Sequence, residues 1–237
     1  MSKNIKKNIK AFKVDLDSRE NQNILKPSAR PFNNQAHQVD EVVKKIYELI
    51  EDAKHPNDDI ILNHNKIKEA FFSPFKPQLK NAQVFLSHSH ADRNKALEVK
   101  DYLESETNHR VFIDSLFWDY KDDVLNELEK YDNTSKIKNA FTLILRESLQ
   151  DMIEKCPYFV FLQSKNSVSN QGLSCNQNLL KITYSAWIYE ELKIAHSIRE
   201  SRPTPMMESW QVSHNISPFL ESLETITLIK LSHIINS

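Results

Sequence analysis

The spacing of apolar residues changes from one segment to the next, and each spacing predicts a kind of secondary structure. Between residues 39 and 53 apolar residues recur three and four positions apart, which predicts a helix with one buried face. Three short apolar runs predict buried strands, and they lie at Gln83–Leu86, Val111–Ile113 and Tyr158–Leu162.

Helical spacing follows these strands. Ser89 and Asp92 resemble a capping box, which predicts a helix that continues to Glu106, and a second helix is predicted from Ser185 to about Ser201. Strands that alternate with helices are typical of an α/β fold, in which a parallel sheet is covered by helices.

The remaining segments have weaker patterns. Residues 1–38 are polar and are interpreted as loop, and a second helix is predicted over 60–72, so that 1–80 form a helical N-terminal extension to a domain at 81–237. Loops are predicted at 114–123 and 164–178, and helices around 124–128 and 137–152. The tail is compatible with a strand at 225–231 or a helix at 218–226.

Composition excludes several classes of protein. The net charge of −1 gives no basic field for nucleic acid. The two cysteines define no disulfide framework or zinc ribbon, and no apolar run is long enough for a signal peptide or a membrane span, so a cytoplasmic protein is expected. The single glycine, Gly172, excludes a dinucleotide-binding fingerprint and a P-loop, which need glycines beside phosphate.

Three segments together resemble the motifs of the TIR (Toll/interleukin-1 receptor) family: Gln83–Asp92, Arg110–Asp114 and Tyr184–Leu192. The resemblance covers about residues 81–200 and implies a flavodoxin-like TIR domain. In some members the carboxylate four residues after the tryptophan of the last motif lets the protein cleave NAD. Here Trp187 is that tryptophan and Glu191 that carboxylate, so the resemblance implies that Glu191 is catalytic, with NAD as substrate and no other cofactor.

The chemistry suits a single carboxylate. Nicotinamide is a cationic leaving group in NAD, so the reaction needs stabilisation of an oxocarbenium-like centre more than a strong general acid. Trp187 and Glu191 share one helix face, whereas Glu190 points about 100° away and is the poorer candidate. Spacing alone is more typical of a solvated glutamate, and it is the family motif that favours catalysis.

Further substrate contacts and partners are implied in the same way. Ser87 and His88 follow a strand at the edge where α/β proteins bind ligands. Asp114, Phe117 and Trp118 lie where the family's BB loop lies, a loop that joins TIR domains and gates the pocket. We therefore expect self-association through 114–123, although Phe117 and Trp118 could equally be core residues. An anti-phage role similar to Thoeris would add an effector protein that senses the nucleotide product.

Two alternatives stay open. A non-catalytic TIR adaptor would act only by assembly and would have no need of Glu191. A zinc hydrolase is the weaker alternative, because His88-x-His90-x-Asp92 resembles the start of the metallo-β-lactamase motif. Arg93 stands where that motif continues with histidine, so no metal is expected.

Overall fold

A computed structural model describes residues 9–27, 39–52, 63–75, 81–129, 135–171, 180–200 and 214–237. The chain divides into two compact units. The first comprises Met1–Pro31, Ala82–Asp114 and Gln150–Ser237, and the second comprises Phe32–Asn81 and Ser115–Leu149. This division differs from a boundary at residue 80, because both units draw on segments from either side of it.

A five-stranded parallel sheet forms the centre of the first unit, in the order β3-β2-β4-β1-β8. Its strands are β1 (Lys10–Asp15), β2 (Ala82–Ser87), β3 (Arg110–Ile113), β4 (Tyr158–Gln163) and β8 (Glu224–Thr225). The sheet is flanked by helices, which confirms the α/β class and agrees with a flavodoxin-like fold.

The position of β1 corrects the interpretation of 1–38 as loop. β1 pairs in parallel with β4 along its whole length, with Lys10 opposite Tyr158 and Asp15 opposite Gln163. The flavodoxin-like order is 2-1-3-4-5, and the first three positions are filled here by β3, β2 and β4. The fourth position is taken by β1, a strand from the start of the chain, and a short helix α1 (Arg19–Ile24) follows it.

The core explains why these segments form the inner strands. Val84, Phe85 and Leu86 in β2 are fully buried, and so is the run Phe159–Leu162 in β4. The rings of Phe85 and Phe159 stack with centroids 5.8 Å apart. Burial on both faces requires continuous apolar runs, which is the pattern that predicts β2, β3 and β4 from the sequence.

The edge strand β3 is closed by helix α4 (Arg93–Glu106) of the same unit. The Glu104 carboxylate accepts a hydrogen bond from the Val111 amide at 3.0 Å, and the Lys100 ammonium donates to the Val111 carbonyl. Lys100 and Glu104 also pair with each other at 2.6 Å. The two side chains thereby occupy backbone groups that an unprotected edge strand would offer to another chain.

Glu104→Ala is expected to lower the free energy of unfolding by about 1–3 kcal/mol, because it leaves the Val111 amide and the Lys100 ammonium without this acceptor. Chemical denaturation measures the change. Glu106→Ala, at an exposed position of the same helix, is the control and should stay within about 0.5 kcal/mol of the parent. Equal effects of the two substitutions would contradict the role of Glu104.

The later part of the first unit adds a small antiparallel sheet, in the order β5-β6-β7. Its strands are β5 (Ser169–Gln171), β6 (Leu180–Thr183) and β7 (His214–Asn215), so the loop predicted at 164–178 contains a strand, and 172–178 lie outside the described residues. The helices of this region are α7 (Ala186–Glu200), α8 (Ser217–Ser222) and α9 (Leu228–Asn236). The strand expected at 225–231 is wrong beyond residue 225, where α9 soon begins, and the helix expected at 218–226 ends at Ser222.

The second unit is helical in its described part. It contains α2 (Val39–Glu51), α3 (His64–Phe72) with a 3₁₀ turn at Ser73–Phe75, α5 (Ser115–Leu128), and most of α6 (Ser135–Lys155). The helix predicted at 39–53 is confirmed, as is the described part of the one predicted over 60–72. The loop predicted at 114–123 is wrong, because the helix α5 begins at Ser115. Tyr120, Val124 and Leu128 are buried along one face of α5, and Tyr120 makes an edge-on contact with Phe71 at 5.3 Å.

Candidate functional site

Four buried polar residues of the first unit meet at the carboxyl ends of β2 and β3. Ser87 is the last residue of β2, His88 follows it, and Asp114 follows β3. Glu191 reaches the same place from α7. Glu191 and Ser87 have no exposed surface, and His88 and Asp114 are each 3 % exposed. Polar groups this deeply buried in one place mark either a functional site or a specific structural network.

Local structure fixes the start of α7. The Ser185 hydroxyl accepts a hydrogen bond from the Ile188 amide at 3.2 Å, as an N-cap does, and the Ser185 amide donates to the Thr183 hydroxyl at 3.2 Å. The helix therefore begins immediately after β6, and its Ile188, Leu192 and Ala195 side chains are buried. Glu191 lies among these buried positions, which is why its carboxyl points into the protein.

The Glu191 carboxyl is held in conditions that favour its protonated form. Burial is the main cause that raises its pKa well above the ordinary value for glutamate. The nearby Asp114 carboxyl raises the pKa further, and the nearby Ser87 hydroxyl acts in the opposite direction. By hydrogen-bond geometry, the two Glu191 oxygens and the Ser87 hydroxyl have no partner among the described residues, so these are neighbouring groups and not well-formed hydrogen bonds. Two carboxyls in such contact share protons as a pair.

His88 adjoins the same pair of carboxyls. Its Nδ1 lies 2.8 Å from Oδ1 of Asp114, as an ion-pair contact in which the ring N–H is not well aligned for a regular hydrogen bond. Its Nε2 is buried and has no hydrogen-bond partner among the residues that the structure describes. The contacts therefore run from His88 to Asp114, from Asp114 to Glu191, and from Glu191 to Ser87.

The neighbouring Glu190 has a different environment. Its carboxylate lies 3.5 Å from the Lys193 ammonium, one turn along α7, and both side chains are 12 % exposed. Lys193 also lies over the ring of Tyr189, 5.3 Å from its centroid. An ion pair at this spacing is a common way to stabilise a helix, so Glu190 has a structural explanation that Glu191 lacks.

The other predicted site residues are not brought into this cluster by any described contact. Trp187 is half-buried, on α7 one turn before Glu191. Phe117 and Trp118 belong to α5 in the second unit, and their side chains lie outside the described residues.

The helix predicted to continue to Glu106 is found, but the capping box predicted at Ser89 and Asp92 is wrong. The Ser89 side chain makes no capping bond, and a 3₁₀ turn at His90–Asp92 precedes α4. The buried Asp92 carboxylate instead accepts hydrogen bonds from the Ser164 hydroxyl and, at 2.7 Å, from the Asn166 amide. It thereby ties the end of β2 to the loop after β4. The serine and asparagine directly after a buried strand are the signal that could have suggested such a bond.

The two histidines of the possible zinc motif face different surroundings, since His88 is buried against Asp114 and His90 is exposed. Within the described ranges, no three histidine, cysteine, aspartate or glutamate residues are grouped so that they could hold a metal ion. None of the described helices is both long and apolar enough to cross a membrane.

Comparison with known proteins gives no match: neither a protein-family model, nor a curated protein, nor a solved structure is similar to this chain at a significant level. The function is therefore inferred from the four buried residues and from the sequence segments in which they lie.

Chemically, the cluster combines two carboxyls, an imidazole and a hydroxyl. Ser87 does not form a catalytic triad with His88 and Asp114, because its hydroxyl contacts Glu191 and the described residues include no partner for His88 Nε2. A carboxyl pair of this kind can accept or release a proton and can stabilise a nearby positive charge. Glu191 has no exposed surface in this arrangement of the chain.

Proposed function

We propose that this chain is a TIR-type enzyme that cleaves the nicotinamide–ribose bond of NAD, with Glu191 as its catalytic carboxylate. One observation carries the proposal. The three segments that resemble TIR motifs each contribute a polar residue to one buried cluster: Ser87 from the first, Asp114 from the second and Glu191 from the third. Segments this far apart in the chain have no local reason to place polar groups together.

The chemistry follows from charge. As the bond to nicotinamide breaks, positive charge develops on the ribose, and an ionised Glu191 beside it would stabilise the transition state. An approaching cation lowers the pKa of a carboxyl, so the substrate itself favours the ionised form of Glu191 that the closed cluster disfavours. Nicotinamide leaves with the electrons of the broken bond, and the ADP-ribosyl carbon forms a new bond to water, which gives ADP-ribose, to a group of the same molecule, which gives a cyclic product, or to another acceptor; the attacking group loses its proton.

The burial of the Glu191 carboxyl suggests that assembly of the protein regulates access to the site. Glu191 is inaccessible in the arrangement described here, and self-association through residues 114–123 would provide the energy to expose it. In an anti-phage pathway, the nucleotide product would then be sensed by a separate effector protein.

A second candidate is a non-catalytic TIR adaptor. The observation that favours it is the same complete burial of Glu191. A carboxyl that burial keeps in its protonated form, between strand ends and a helix, is also compatible with a purely structural role. In that case the protein acts by assembly alone, and NAD is not turned over.

The two candidates can be separated by incubating purified protein with NAD over a wide range of protein concentrations. We expect nicotinamide release, with turnover per protomer that rises with concentration because assembly opens the site. Mass analysis identifies whether the second product is linear, cyclic or conjugated ADP-ribose. Trp118→Ala should lower turnover per protomer and shift the dependence to higher concentration.

Two outcomes count against the proposal. Assembly of the protein without any nicotinamide release favours the adaptor. Turnover that is independent of concentration in a monomeric protein removes the role of self-association while leaving NAD cleavage intact.

A further inference from the structure

The loops that follow β2 and β4 are joined by a buried carboxylate. Asp92 is 3 % exposed, and it accepts one hydrogen bond from the Ser164 hydroxyl and another, at 2.7 Å, from the side-chain amide of Asn166. Hydrogen bonds to an ionised carboxylate are about twice as strong as those between neutral groups. The two loops are therefore held together more firmly than the pairing of β2 with β4 alone would hold them.

The loop after β4 is also fixed by bonds of its own. Within it, the Ser164 hydroxyl accepts a hydrogen bond from the Asn166 backbone amide at 3.0 Å. On another side, the Lys165 backbone amide donates to the Asp17 carboxylate at 2.9 Å, in the segment that follows β1. Asp92 thus attaches the loop after β2 to a loop that is already held in place.

This bridge spans the place where flavodoxin-like folds bind ligands. In the strand order 2-1-3-4-5, that place is the crevice between the second and third positions of the sheet, at the carboxyl ends of the strands. The second and third positions are filled here by β2 and β4. The loops that Asp92 joins are therefore the two walls of this crevice, and the wall after β2 begins with Ser87 and His88.

We propose that Asp92 is a positioning residue, which sets the width of this crevice and holds Ser87 and His88 where they meet substrate. Asp92 ends a 3₁₀ turn only four residues after His88, so that a shift of Asp92 is passed on to His88 through a short and compact segment. A displacement of about 1 Å in an active site can cost about 100-fold in rate. The inference deepens the proposed function and rests on it for the reaction, but the surroundings of the His88 ring can be measured without any reaction.

The test exchanges the two polar partners of the bridge. Asn166→Asp places a second carboxylate beside Asp92, so repulsion replaces a hydrogen bond and the two loops should separate. Combining Asp92→Asn with Asn166→Asp restores a bond between the same positions with donor and acceptor exchanged. Asn108→Asp is the matched control, because it makes the same chemical change at an exposed residue before β3, at the opposite end of the sheet.

The first readout is the ring-nitrogen signals of His88 in the full-length protein, labelled with ¹⁵N at histidine. These signals are assigned by their loss in His88→Gln. We expect them to move in Asn166→Asp, to return toward the parent positions in the exchanged pair, and to stay unchanged in Asn108→Asp. Thermal unfolding is measured first, so that all variants are compared at a temperature at which they are folded.

The second readout is NAD turnover by the same proteins. We expect kcat of Asn166→Asp to fall by up to about 100-fold, with a smaller change in KM, because the reacting groups are displaced. The exchanged pair should recover most of this loss. Asn166→Ala removes the bond without adding repulsion, so its kcat should fall between those of Asn166→Asp and the parent, and it replaces Asn166→Asp in both readouts if that variant does not fold.

Two outcomes would overturn the positioning role. Folded Asn166→Asp and Asn166→Ala proteins with the kcat and the His88 signals of the parent would reduce Asp92 to a bond that only stabilises the fold. Failure of the exchanged pair to restore the signals and the turnover would mean that Asp92 acts by something other than this bridge. The expected His88 signals in a protein that does not cleave NAD would refute the proposed function and leave the positioning role standing.

Discussion

Glu191→Gln should abolish NAD cleavage while leaving the fold intact. Glutamine has nearly the shape of a protonated glutamate and fits the same buried place beside Asp114 and Ser87, but it cannot ionise. The loss of transition-state stabilisation should lower turnover by about 100-fold or more. Nicotinamide release and circular dichroism are measured on the same preparation.

Glu191→Gln should also change how the stability of the folded protein depends on pH. Burial and the charge of Asp114 raise the folded-state pKa of Glu191, so the folded protein holds this proton more tightly than the unfolded chain does. The contribution of Glu191 to stability is therefore full below its unfolded-state pKa and is lost as pH rises through the folded-state value. We expect Glu191→Gln to lose less stability than the parent as pH rises, and to differ little from it at low pH.

The control is Glu190→Gln, which removes the partner of Lys193 outside the cluster and should retain most of the turnover. A folded Glu191→Gln protein with the turnover of the parent would sink the assignment of Glu191. A loss of activity in Glu190→Gln alone would mean that the catalytic position lies one residue earlier in the motif.

Val14→Asp should prevent stable folding of the first unit. Val14 is fully buried in β1 and lies opposite Leu162 of β4. A carboxylate at this position would have to be buried among apolar side chains, at a cost of about 4 kcal/mol or more. That is comparable with the whole stability of many domains, about 5–15 kcal/mol.

Lys10→Asp is the matched control, because Lys10 is the exposed first residue of the same strand. The Lys10 ammonium lies 5.8 Å from the centroid of the Tyr158 ring. Loss of this contact should lower the free energy of unfolding by no more than about 1 kcal/mol. Thermal unfolding compares the two variants. Equal and small effects would mean that β1 is a dispensable extension and that the sheet is complete without it.

The sequence predicts those parts of the fold in which the apolar pattern is uninterrupted. The strands β2, β3 and β4 can be predicted because their buried positions form continuous apolar runs. The helices α2 and α4 can be predicted because their apolar residues fall on one helix face. β1 is missed because Lys10, Lys13 and Asp15 alternate with its apolar residues, in a segment that is otherwise polar. Its neighbours β4 and β8 pair with it only in the folded protein.

Helix α5 could have been predicted from the sequence. Tyr120, Val124 and Leu128 recur every four residues, and no glycine or proline interrupts the segment from Ser115. The apolar periodicity of this segment indicates the helix, whereas its likeness to a family loop indicates the wrong structure.

The members of the candidate site could be predicted, but their contacts could not. Ser87, His88, Asp114 and Glu191 follow from motifs at strand ends and on a helix. That Asp114 lies between His88 and Glu191 depends on how β3 sits beside β2 and on where α7 packs, and neither is encoded locally. The hydrogen bond between Asp92 and the loop after β4 could not be predicted, because that loop is distant in sequence.

The place of β1 has a consequence for how the protein is made. On the ribosome, β1 emerges before the other strands of its sheet, and its two neighbours, β4 and β8, are synthesised much later. β2 and β3 can pair early, whereas Phe12 and Val14 must wait without a partner until most of the chain has left the exit tunnel. We therefore expect the nascent chain to need chaperones that cover its N-terminal segment. A chain shortened to the motif-bearing residues 81–237 should be insoluble, because the sheet that holds the site would lack an inner strand.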